Sequence, residues 1–166
     1  MKIIQTKFPE IKRDYLETLQ INIGYKCNQA CSHCHVDAGP NRTEMMSNEI
    51  IKIIPKVIKA NNIKMLDITG GAPELHPKFK QLVREVRSLN VEVMDRCNLT
   101  ILTEPGYKNL SSFLALNKVQ ITASLPCYLK DNVDKQRGKG VFEKSILALK
   151  KLNSYGYGIK DNNLIL

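Results

Sequence analysis

Leu19-Gln20-Ile21-Asn22-Ile23-Gly24-Tyr25-Lys26-Cys27-Asn28-Gln29-Ala30-Cys31-Ser32-His33-Cys34-His35 is the stretch that decides how this chain is read. Its first seven residues alternate apolar and polar, with β-branched side chains, which is the pattern of a strand. The strand runs straight into three cysteines. Three thiolates so close together can wrap one soft metal centre, and three is one short of the four that saturate a cubane iron–sulfur cluster. A cluster held this way keeps one iron open for an outside ligand. The same residues also allow a structural zinc site on Cys27, Cys31, Cys34 and His35. Such sites usually join Cys-x2-Cys to a distant second pair. Here Cys97 and Cys127 stand alone, so the spacing favours the cluster.

Outward from this stretch the chain alternates strands and helices. Residues 64–69, 91–96 and 119–124 read as further strands, and Asn163-Leu164-Ile165-Leu166 as the start of a fifth. Ser47 suits the cap of a helix whose apolar face is Ile50, Ile53, Ile54, Val57 and Ile58, with Pro55 expected to kink or split it. Pro77 suits the first position of a second helix carrying Phe79, Leu82, Val83 and Val86. Leu110, Phe113 and Leu114 mark a third, and Phe142, Ser145, Ile146 and Leu149 a fourth after Arg137-Gly138-Lys139-Gly140. Repeated βα units predict a parallel sheet with right-handed crossovers. The spacing of about 30–45 residues per unit is close to that of a βα barrel, which carries its chemistry at the C-terminal ends of its strands. The cysteine loop, Gly70-Gly71, Cys97-Asn98 and Ser124-Leu125-Pro126-Cys127 all follow strands.

The expectation is therefore an α/β chain with residues 1–18 as an N-terminal extension and 19–166 as one core domain. That core holds about four and a half parallel βα units. Composition agrees with a globular class, at 166 residues, 43% hydrophobic and 25% charged. Five cysteines, three of them crowded, make a poor disulfide framework and point to the cytoplasm. No secretory signal opens the sequence, and no run approaches the roughly 20 apolar residues of a membrane span. The net charge of +9 comes from scattered Lys and Arg without aromatic platforms between them. That reads as a solvated basic surface rather than a nucleic-acid site, and it can attract an acidic electron donor.

Cys-x3-Cys-x2-Cys at the end of a first strand resembles the signature of the radical S-adenosylmethionine (radical SAM) enzymes. The resemblance implies a partial parallel βα barrel, truncated here after about four and a half βα units, and a [4Fe–4S] cluster on Cys27, Cys31 and Cys34, with the open iron chelated by the amino and carboxylate groups of SAM. One electron then breaks the sulfonium C–S bond and releases a 5′-deoxyadenosyl radical. His33 stands where the family usually has an aromatic residue and is assigned to the cofactor site with it. Thr69-Gly70-Gly71-Ala72-Pro73-Glu74 resembles the family's Gly-Gly-Glu-Pro, whose backbone binds the amino group of SAM, although Ala72 replaces the usual Glu and Glu74 follows two residues later.

A closer resemblance lies in residues 22–31 and 34–42, Thr69–Leu75, Asp95–Thr100, Ala123–Tyr128 and Asp134–Phe142. Together these blocks resemble the radical SAM/Cys-rich family linked to arsenosugar biosynthesis, from about Leu19 to Tyr157. This implies transfer of the 5′-deoxyadenosyl group to a methylated arsenical, a reducing donor such as flavodoxin or ferredoxin, and a cysteine-rich C-terminal region outside this sequence. Cys97 and Cys127 then become candidate catalytic residues that hold trivalent arsenic, since thiolates are soft ligands; a free cysteine is also often a small buried hydrophobe. Asn98, Ser124 and Arg137 are candidates for the ribose or carboxylate of SAM, or for structuring their loops. A radical SAM enzyme of another subfamily and a non-catalytic zinc- or cluster-stabilised fragment remain open as readings.

Overall fold

The computed structural model describes residues 9–12, 14–160, 162 and 164–166. Within them, β1 (Thr18–Asn22), β2 (Met65–Thr69), β3 (Glu92–Asp95) and β4 (Gln120–Ile121) form one parallel sheet in the order β1-β2-β3-β4. Between and after them lie α1 (Asn48–Ala60), α2 (Phe79–Ser88), α3 (Leu110–Leu116), α4 (Lys130–Arg137) and α5 (Val141–Ser154). Two short 3-10 turns, Pro73–Leu75 and Leu99–Thr103, follow β2 and β3. Consecutive parallel strands lying side by side are what repeated βα units produce, and the sheet stays open. No helix among the described residues is long and apolar enough to cross a membrane.

The pleat sorts the side chains. Leu66 and Ile68 of β2, Val93 of β3 and Ile121 of β4 join Ile51, Leu82, Val86, Leu114, Ala148 and Leu152 of the helices in one core. In the intervening row Gln20 and Arg96 both donate to Asp67, at 2.6 Å from Gln20 and 2.8–3.2 Å from Arg96. Burial works to raise the Asp67 carboxyl, but the Arg96 and Gln20 hydrogen bonds outweigh it and the group titrates below its ordinary value.

Several expectations change here. Ser47 does cap α1, accepting from the Ile50 N–H at 3.4 Å, but the buried face is Ile51, Ile54 and Ile58. Ile50, Ile53 and Val57 are exposed, because the apolar stripe is wider than the strip of sheet it covers. Pro55 does not split the helix: it removes one donor, while Ile51 and Ile54 before it and Ile58 after it anchor both halves in the core. Pro77 lies in the turn before α2, whose cap is Lys78. The first strand ends at Asn22 instead of Tyr25, since Gly24 turns away to pair with Met45. Asn163 falls outside the described residues, and Leu164–Leu166 forms no strand. One bond, from Ile121 N–H to the Ile165 carbonyl at 3.0 Å, nevertheless lays this segment beside β4. Helix α4 is the element that periodicity missed, because Lys130–Arg137 buries little beyond Val133 and Arg137.

Candidate functional site

The cysteine loop leaves β1 and is clamped from three sides. Cys27 N–H donates to the Gly39 carbonyl, and Gly39 N–H to Tyr25, both at 3.1 Å, which closes the loop at its base. Gly71 N–H donates to the Gly24 carbonyl and Ala72 N–H to Lys26, both at 2.9 Å, so the segment after β2 straps the strand end that carries Cys27. Ser32 N–H donates to the Gln136 carbonyl at 3.0 Å, tying the tip of the loop to the end of α4.

The strap explains the two glycines. Gly70 has φ of +152°, and a Cβ there would stand 2.6 Å from the Gly24 carbonyl oxygen. A Cβ on Gly71 would stand 2.5 Å from the Lys26 oxygen and 2.9 Å from the Ala38 Cβ. Their closest partner is thus the chain's own cysteine loop. Ala72 packs in a small cluster with Cys27 and Ala38, a place with no room for the glutamate expected from the Gly-Gly-Glu-Pro pattern.

Cys27, Cys31, His33 and Cys34 line a cavity of about 430 Å³ together with Gly70, Gly71, Ser124 and Arg137. Eight of the eleven candidate residues therefore share one space. Val36, Ala38, Ala123, Leu125 and Pro126 make much of the wall apolar; His35, grouped with the three cysteines in the zinc alternative, also reaches it, as does Gln29, which the sequence reading did not single out. Cys31 and Cys34 are half-buried, while burial raises the Cys27 thiol above its ordinary value despite hydrogen bonds from the Gln29 N–H and the Asn98 amide. Metal binding would displace that proton. Thiolates around one zinc ion would lie about 3.8 Å apart, from the ~2.3 Å Zn–S bond and tetrahedral angles. The donor atoms of Cys27, Cys31, Cys34 and His35 do not converge within 4.8 Å of one another. Three thiols spread around a cavity wall suit a multi-iron cluster better than a single ion.

The other three candidates lie elsewhere. Cys97, expected at the cavity mouth, is fully buried in the main core. Cys127 is half-buried outside the cavity lining just before α4, accepting from Leu129 N–H at 3.4 Å and Asn132 Nδ2 at 3.5 Å; these bonds lower its thiol below the ordinary value. Asn98 is 3% exposed, and its amide is occupied by protein. Its Nδ2 donates to Cys27 Sγ at 3.4 Å and to Asn28 Oδ1 at 2.6 Å. Its Oδ1 accepts from Arg137 Nη2 at 2.9 Å and Thr100 Oγ1 at 3.3 Å. Arg137 also donates to the Ser124 carbonyl. His76 lies just before α2, where its Nδ1 accepts from Lys78 N–H at 3.0 Å.

Behind Cys27 sits a group that sequence reasoning missed. Glu74, Asp95 and Cys97 place their donor atoms within 4.8 Å of one another, all buried, and the Asp95 carboxylate has no hydrogen-bond partner among the described residues. Burial pushes Glu74 up to about 7 and Asp95 and Cys97 well above their ordinary values. The signal was available for Asp95: with period two it shares the face of Val91 and Val93, both buried.

A model described as the Radical SAM superfamily matches residues 21–166. The chain is 28% identical over 144 residues to a protein named "Probable GTP 3',8-cyclase" from Saccharolobus solfataricus, covering 85% of this chain and 45% of that protein. A protein of the same name from Sulfurisphaera tokodaii is 29% identical over 94 residues, covering 56% and 30%. The chain thus spans less than half the length of the curated relatives it matches. Among solved structures it resembles Streptococcus suis SuiB bound to S-adenosylmethionine, with a TM-score of 0.69 at 17% identity over 86% of this chain and 32% of that one. The anSMEcpe enzyme with bound AdoMet gives a TM-score of 0.68 at 20% identity, over 86% and 41%. At these identities the structural likeness speaks for the fold.

Proposed function

The chain belongs to the radical SAM superfamily, and from that premise we propose that it is the core of an iron–sulfur enzyme that reductively cleaves S-adenosylmethionine. One observation carries the reading: Cys27, Cys31 and Cys34 line the same cavity as Gly70, Gly71, Ser124 and Arg137. Cys27, Cys31 and Cys34 would hold a [4Fe–4S] cluster, which would supply the one electron needed for reductive cleavage of the sulfonium C–S bond of SAM.

The chain's own residues prepare the space. Gly70 and Gly71 present bare main chain to the cavity, where the amino group of a ligand can approach. Arg137 lines the cavity and has N–H groups beyond those given to Ser124 and Asn98, a fork suited to a carboxylate. His33 offers a flat ring on the same wall. The apolar side chains of Val36, Ala38, Ala123, Leu125 and Pro126 keep water from a reactive carbon radical.

The acceptor we propose is a methylated arsenical that receives the 5′-deoxyadenosyl group, supported by the sequence blocks at Thr69–Leu75, Asp95–Thr100 and Ala123–Tyr128. A second reading, a purine nucleotide substrate, is supported by the relatives named as GTP 3',8-cyclases. A flavodoxin or ferredoxin as electron donor suits the net charge of +9.

The test is anaerobic reconstitution of the chain with iron and sulfide, followed by electron paramagnetic resonance with and without SAM. A reduced-cluster signal that changes on adding SAM, with 5′-deoxyadenosine formed under reduction, is the expected result. A zinc-containing protein that takes up no cluster would overturn the reading. Incubation with dimethylarsenite or GTP then separates the two substrates by the mass of the product.

A further inference from the structure

We infer that Asn98 is a positioning residue that tunes the iron–sulfur centre, by fixing an N–H donor on the sulfur of Cys27. The inference rests on the assignment of Cys27 as a cluster ligand.

The orientation of the Asn98 amide is determined by its partners. A guanidinium only donates, so the Asn98 atom 2.9 Å from Arg137 Nη2 is the oxygen. The Thr100 hydroxyl donates to the same oxygen at 3.3 Å. With the oxygen held, the NH2 group faces Cys27 Sγ at 3.4 Å and Asn28 Oδ1 at 2.6 Å. Arg137 is in turn fixed to the Ser124 carbonyl past the end of β4. The amide cannot flip without leaving a buried guanidinium facing an NH2 group.

Burial gives the bond its effect. Cys27 and Arg137 are each 7% exposed and Asn98 3%, so water does not replace a lost donor there. A hydrogen bond to a ligand sulfur withdraws electron density from it and makes the reduced cluster easier to form. The three cysteines differ in this respect. Cys34 Sγ accepts from the Ala38 backbone N–H at 3.2 Å, and Cys31 Sγ meets only Gln29 Oε1 at 3.9 Å. Cys27 Sγ accepts from the Gln29 backbone N–H within its own loop and, in addition, from a side chain on another strand's loop, and this second bond links the cluster's environment to β3 and β4.

The experiment is a redox titration of the reconstituted full chain, with iron per chain measured alongside. Asn98→Asp keeps an oxygen for Arg137 and removes the N–H donor. Its expected result is wild-type iron content with a midpoint potential shifted to more negative values. Asn98→Leu removes the donor without adding charge, and its expected shift is smaller and in the same direction. Thr100→Val removes a donor to the Asn98 oxygen and an acceptor for Asn28 Nδ2 but leaves Arg137 on that oxygen and the NH2 group on Cys27, and is expected to keep the wild-type potential. Clusters at wild-type potential in both Asn98 variants would overturn the inference and leave the ligand assignment standing. A wild-type chain that binds no cluster would overturn the ligand assignment first and the inference with it.

Discussion

Arg137 Nη2 lies 2.9 Å from Asn98 Oδ1, and this one contact joins the end of α4 to the loop after β3 beneath the cysteine loop. Arg137 is 7% exposed, and its other bond goes to the Ser124 carbonyl. Arg137→Leu would leave both acceptors short of a donor, with an expected cost of about 2 kcal/mol for hydrogen bonds from a charged group. The measurement is urea unfolding, where the midpoint should fall at an unchanged slope. Arg137→Lys should recover little, because an ammonium has no planar fork to span both oxygens. A lysine variant as stable as the wild type would show the fork to be idle.

Gly71 is the point where the fold and the site meet. A Cβ there would press on the Lys26 oxygen at 2.5 Å and the Ala38 Cβ at 2.9 Å, and the first of these is backbone that cannot swing aside. Gly71→Ala is expected to destabilise the chain by roughly 1–3 kcal/mol, as overpacking does, and to lower iron uptake because the strap beside Cys27 is displaced. Iron per chain and thermal unfolding read the two effects separately. Full iron uptake at wild-type stability would mean that the strap yields without cost.

How much of this was legible in the sequence depends on how local each signal is. The cysteine loop and the strands before and after it were legible because thiol spacing and two-residue alternation are local, and Ser47 declared its helix start for the same reason. The position of Cys97 was not. A residue just past a strand can turn to the cavity or to the core, and Cys97 turns inward, where its thiol meets Glu74 and Asp95. Asn98 was expected at the mouth as a contact for SAM, but it is buried outside the cavity lining, and its distant partners, residues 27, 28 and 137, leave no mark on the sequence. The buried face of α1 was misjudged for a similar reason: six apolar positions fit two overlapping stripes, and only packing chooses between them.

Cys31 and Cys97 should respond in opposite ways to the same substitution. Cys31 is half-buried on the cavity wall and takes no part in the core, so Cys31→Ser should abolish cluster assembly and leave the unfolding midpoint nearly unchanged. Cys97 has no exposed surface, so Cys97→Ser places a hydroxyl in a buried site and should cost about 1–3 kcal/mol unless it finds a partner. Its cluster content and its affinity for a trivalent arsenical should stay at wild-type values. A loss of arsenical affinity in folded Cys97→Ser protein would show that ligands reach the core from the cavity.

Glu74 gives the stability of this chain an unusual dependence on pH. Its carboxylate is buried beside Asp95 and Cys97, and burial, outweighing its contacts with Cys97 and the Asn98 N–H, pushes it up from 4.5 to about 7. Asp95 beside it moves in the same direction for the same reason, with the charge of Glu74 adding to the effect. Between about 4.5 and 7 the folded chain therefore holds more protons than the unfolded chain, so stability should fall as pH rises through that window. Groups shifted the other way, such as Asp67 and Asp134, lose their contribution only below their ordinary carboxylate range and leave the window untouched. Unfolding free energies from urea titrations at pH 5, 6 and 7 should thus decline in order. Glu74→Gln should lessen the decline and raise stability at pH 7, because a neutral amide needs no proton to remain buried. Glu74→Gln combined with Asp95→Asn should remove most of what is left. A wild-type chain that grows more stable from pH 5 to pH 7, or a double variant with an undiminished decline, would show that these two acids do not hold the extra protons of the folded chain.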